Sequence, residues 1–135
     1  MDPQNLAYAL TQVAHNFGAV TVVAAPLYVV GAGRPARERL ILWLVLTGWA
    51  VQFASGALFG LVSLHFYGQF PDIHGIAVAA VSVKVLCTIT AVVLVVVSLR
   101  LRAARGDRRA ALIWLALAAL GVTALTAAAF LRWFS

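Results

Sequence analysis

Four apolar runs, each about as long as a bilayer is thick, constrain what this chain can fold into. They cover residues 6–30, 40–64, 74–99 and 110–131. A hydrocarbon core of about 30 Å takes about 20 apolar residues in a helix. Backbone groups in lipid must bond within their own segment, so helices are the form that spans it. Barrel strands would alternate polar and apolar residues, and these runs do not. The chain has 135 residues, 64% of them hydrophobic and 10% charged. A soluble domain of that size could not hide so much apolar surface. The expectation is one all-α domain over 1–135, an integral membrane four-helix bundle with short loops. The N-terminus does not read as a signal peptide, because it carries Asp2, lacks a basic stretch and leads into too long an apolar run.

The net charge of +6 would suit nucleic acid if it formed a patch, but its placement points elsewhere. Arg34, Arg37 and Arg39 fall between the first two runs, and Arg100, Arg102, Arg105, Arg108 and Arg109 between the last two. Residues 1–33 and 65–73 contain no Lys or Arg, and Arg132 stands alone near the C-terminus. This is the positive-inside pattern. It predicts N-out/C-out topology, with both basic loops cytoplasmic and touching anionic lipid, and no nucleic-acid partner. Tyr8, Tyr28, Trp43, Tyr67 and Trp133 fall where an aromatic belt would. Cys87 has no disulfide partner, and the single methionine is the initiator, so no methionine copper relay is available.

Because arginines mark one end of each run, depth can be counted at 1.5 Å per residue. Gln52 lies 13 residues from Arg39, about 20 Å; Lys84 lies 16 from Arg100, about 24 Å; His15 lies 19 from Arg34, about 28 Å. His65 and His74 lie 26 residues from Arg39 and Arg100, about 39 Å, at a common rim joined by FYGQFPDI. The polar side chains thus gather in the middle and outer half, and the inner half has almost none.

Lys84, in VSVKVLCTI, is the costliest residue, and an ionisable group at membrane depth is by default a functional one. The four acids are Asp2, Glu38, Asp72 and Asp107, none at its depth. Lys84 must snorkel outward, be neutral, or meet a carboxylate from a ligand or a neighbouring subunit. His15, in TQVAHNFGAVTV, shares a helix face with Gly18, Ala19 and Val22, small enough for a flat macrocycle or another helix to approach. It reads either as a ligand or as a group bonded to a neighbouring helix, with Gln52 a candidate partner. Gln52 and Asn16 read as interhelical hydrogen-bonding groups, Thr123 and Thr126 as helix-packing hydroxyls. Gly56 and Gly60 form a GxxxG, and Gly48 and Gln52 continue its face upstream, the spacing of close helix packing. His65 and His74 are interfacial histidines or metal ligands, with Asp72 completing a two-histidine, one-carboxylate set. Candidate haem-iron ligands are therefore His15, His74 and His65.

Helix 2 carries LTGWAVQ. The third run reads HGIAVAAVSVKVLCTITAVVLVVVSLRLR, a glycine eight residues clear of a lysine, an apolar run and a basic end. It resembles the lysine helix of the copper-resistance-D-type membrane proteins. The J-type protoporphyrinogen oxidases of bacteria are similar in layout, with a histidine in helix 1 and a lysine in helix 3. The resemblance covers most of the chain through loose motifs. It implies a four-helix bundle of the bacterial inner membrane that handles haem, porphyrin or copper, with His15 as the helix-1 histidine and Lys84 as the helix-3 lysine. Two departures stand: NFGAVTVVAAP follows His15 where such proteins often have W-x-G-G, and His74 and Lys84 are ten residues apart rather than a tight pair.

Three function classes follow. The first is a protein binding b-type haem or a porphyrin in the outer half of the bilayer through His15, Lys84, His74, His65 or Gln52, for electron transfer or porphyrin oxidation; an enzyme of this kind would be a membrane oxidoreductase. The second is a non-catalytic accessory or assembly subunit of a larger membrane complex, with other subunits or a second copy as partner. The third is a transporter or metal-entry protein, which the nearly apolar inner half and unbroken helices disfavour.

Overall fold

A computed structural model describes residues 2–33, 37–101 and 107–134, with the backbone alone at Asp107. Met1, Arg34, Arg102 and Arg105 lie outside the described residues. Those residues form four helices and no strand: α1 (Pro3–Ala32), α2 (Glu38–Tyr67), α3 (Ile76–Arg100) and α4 (Asp107–Phe134). All four are long and apolar enough to cross a membrane. α1, α2 and α4 each extend beyond the apolar run they contain, while α3 begins two residues inside its own, at Ile76. Asp2 caps α1 by accepting from the Gln4 amide at 3.0 Å, and Pro3 occupies the first turn, where its missing N–H costs nothing. Gly68 ends α2 in the left-handed conformation, its amide donating to Leu64 at 3.0 Å.

Each helix packs against two others in ring order: α1 with α2 and α4, α3 with α2 and α4. The chain therefore runs up and down. One end of the bundle carries the termini, Arg132 and the 68–75 connection; the other carries Arg37, Arg39, Arg100, Arg108 and Arg109. The α2–α3 seam is the loosest of the four. At the arginine end the interior is filled by large groups, with Val45, Trp49, Val95, Trp114 and Leu117 all at most 2% exposed. Trp114 Nε1 reaches across the bundle to donate to Glu38 Oε1 at 2.8 Å. Toward the terminal end the inward residues are small: Ala77, Ala80, Ala124 and Ala127.

Glycine sets how closely α1 is held. A Cβ at Gly18 would stand 3.1 Å from Gln52 and Val51, and one at Gly48 would stand 3.0 Å from Thr21 and Val22. The small face beside His15 is thus covered by helix α2, which closes that face to a flat ring. The expected GxxxG contact is absent: a Cβ at Gly56 would meet nothing within 4 Å, and one at Gly60 would touch only Phe70. Close packing of α2 uses Gly48 instead.

Candidate functional site

Three inward lines bring the polar residues together. On α1, His15 follows buried Thr11 by four residues and precedes buried Gly18 by three. On α3, Lys84 lies seven residues after Ala77 and seven before Ala91, both 0% exposed. Seven residues are nearly two helical turns, so Lys84 stands on the most buried line of its helix. On α2, Gly56 lies seven residues after Trp49 and seven before Ser63, both buried. Gly56 itself is exposed, and a Cβ there would meet nothing within 4 Å.

Hydrogen bonds lock the His15 side of this layer. His15 Nδ1 lies 2.7 Å from Ser55 Oγ. Gln52 Nε2 donates to the backbone carbonyl of His15. The edge of the His15 ring meets Phe59 at 5.7 Å and 73°, and Phe59 stacks on Tyr8 at 6.4 Å. Lys84 is half-buried, and among the described residues its ammonium makes no hydrogen bond or ion pair. Its carbonyl accepts from Thr88 Oγ1 at 2.9 Å, as in several Ser and Thr bonds that satisfy a hydroxyl on its own helix. Trp49 Nε1 is buried with no acceptor among the described protein groups.

Other expected residues fall elsewhere. His74 Nε2 is 3.2 Å from Asp72 Oδ1, with both side chains at least 80% exposed. His65 packs edge-on against its neighbour Phe66 at 4.8 Å. Among the described residues no three His, Cys, Asp or Glu side chains gather as a metal site requires. The set of His65, His74 and Asp72 is therefore not assembled, because the short connection holds His74 and Asp72 to each other in the open. No hydrogen bond, ion pair or ring contact among the described residues links His15 to either. Asn16 accepts from Gln12 Nε2 at 2.7 Å on its own helix rather than from a neighbour. Thr126 likewise bonds Val122 at 3.0 Å, and with Thr123 it lines an apolar groove of about 400 Å³ between α3 and α4.

Ser55 is the site residue that sequence reading passed over. Its signal was its spacing, three residues beyond Gln52 on a helix otherwise apolar at that depth. Comparison with protein families, curated proteins and solved structures gives no match.

Proposed function

We propose that this is a multi-pass protein of the bacterial inner membrane, with arginine loops inside and termini outside, that holds b-type haem or a porphyrin in its His15–Lys84 layer. One observation carries the reading: a half-buried histidine bonded through Nδ1 alone and a half-buried lysine with no acid partner among the described residues stand on the inward lines of α1 and α3. The residues fit such a group. His15 Nε2 takes no hydrogen bond among the described residues and is available to iron. The Lys84 ammonium is available to a propionate, a charge-assisted contact that is strong away from water. With the α1–α2 seam shut at Gly18 and Gly48, the looser α2–α3 seam is the route by which the ring would reach His15 and Lys84.

When bound, haem would supply one-electron chemistry, and a porphyrin precursor would itself be the substrate of oxidation. The protein's own part is to bind and orient. Ser55, Gln52 and Phe59 hold His15 in place, Lys84 fixes the carboxylate edge, and the Trp49–Trp114 plug closes the route toward the arginine end. His65 and His74 lie outside the assembled layer. The test is an optical spectrum of the protein purified in mild detergent after expression with haem supplied, taken oxidised and reduced, beside His15→Ala and Lys84→Ala. A Soret band lost in His15→Ala and weakened in Lys84→Ala supports the reading.

A second reading is an accessory subunit whose neighbour brings an acid to Lys84; the lysine's lack of an acid partner favours it. Stable co-purification with other subunits and no pigment would select it.

A further inference from the structure

Ser55 is buried, 4% exposed, on the side of α2 that faces α1. Its Oγ lies 2.7 Å from His15 Nδ1 and 2.5 Å from the Val51 carbonyl oxygen, with the Gln52 carbonyl farther off at 3.4 Å. A serine hydroxyl has one proton to give, and a backbone carbonyl can only accept. Two bare acceptors at 2.5 Å would repel, so the Ser55 proton goes to Val51. Ser55 Oγ then presents lone pairs alone to His15, and Nδ1 must be the donor. A neutral imidazole carries one N–H, so Nε2 keeps its lone pair.

We infer that Ser55 is a positioning residue that holds His15 in the Nδ1–H tautomer and so designates Nε2 as the atom that binds metal or accepts a proton. The chain His15 Nδ1–H to Ser55 to Val51 carbonyl is polarised along its length, which makes the imidazole a better electron donor through Nε2. The tautomer follows from the protein alone; its consequence for haem rests on the function proposed above.

Nitrogen-15 NMR of histidine-labelled, ligand-free protein in detergent micelles reads the tautomer directly. In the wild type His15 is expected to carry its ring proton on Nδ1. Ser55→Thr, which keeps a hydroxyl, retains that pattern, and Ser55→Ala gives a tautomer mixture. A wild-type ring protonated on Nε2, or a Ser55→Ala ring unchanged from wild type, would overturn the inference. With haem added, Ser55→Ala is expected to bind about tenfold more weakly and to have a raised reduction potential, while Ser55→Thr stays near wild type. Equal affinity and potential in all three would overturn the haem consequence. If the wild type takes up no haem, the proposed function fails, and the NMR result still decides the role of Ser55.

Discussion

Gly121 on α4 rests against the backbone carbonyl of Val22 on α1, so closely that a Cβ at 121 would stand 2.6 Å from the oxygen. Pro26, four residues beyond Val22 and inside the helix, has no N–H to offer that carbonyl. The close approach lets α4 cover an acceptor that α1 leaves open, with a Cα–H···O contact as a minor contribution. Gly121→Ala should destabilise the bundle by about 1–3 kcal/mol through overpacking, and Gly121→Val by more. Thermal unfolding in detergent measures both. An unchanged midpoint for Gly121→Val would mean that α1 and α4 are not held at this separation.

Two glycines on α2 make opposite predictions. Gly48→Leu drives a side chain into Thr21 and Val22, where a Cβ already stands at 3.0 Å, and should unfold or splay the α1–α2 pair. Gly56→Leu enters open space and should leave the melting temperature nearly unchanged. A clear drop in the midpoint of Gly56→Leu would mean that a neighbouring helix packs on Gly56.

Lys84 has no partner among the described residues, yet it stands on the line through Ala77 and Ala91. A lysine at the centre of a spanning helix costs about 2.5–3.5 kcal/mol on insertion scales. Lys84→Met should therefore stabilise the ligand-free bundle, by about 1 kcal/mol or more once partial exposure is allowed for. It should weaken ligand binding at the same time. A clear loss of stability in Lys84→Met would show that the ammonium has a structural partner instead.

Trp114→Phe removes the bond to Glu38 without opening a large cavity. A loss of about 1 kcal/mol is expected, read from unfolding curves, with ligand binding intact because the bond lies at the arginine end. Loss of binding in this variant would mean that the plug shapes the site.

The sequence made the helices legible because lipid imposes a single rule on length and polarity, and α1 to α4 follow it. Their ends were less so: Asp2–Pro3 and Gly68 act through local hydrogen bonds that apolar runs do not register. Lys84 and His15 stood out as polar groups at depth, and both face inward. The helix pairing was not legible. Gly18 and Gly48 stood on faces marked for close approach, and the contacts use both, but the GxxxG pair Gly56 and Gly60 makes none and Gly121 gave no sign, since spacing gives a face but not the neighbour it meets. His65 and His74 shared a computed height, but height says nothing of lateral position, and His74 settled on Asp72. Ser55 gave only its spacing, because serine in a helix usually bonds its own backbone, as this one does while also holding His15.

In the proposed function His15, and not a rim histidine, carries the ligand. The most direct measurement is the oxidised and dithionite-reduced spectrum of wild type, His15→Ala and His74→Ala, each purified after expression with haem supplied. A Soret band that sharpens on reduction in wild type and His74→Ala and is absent from His15→Ala is the predicted result. A colourless wild type, or a band lost only in His74→Ala, would contradict it.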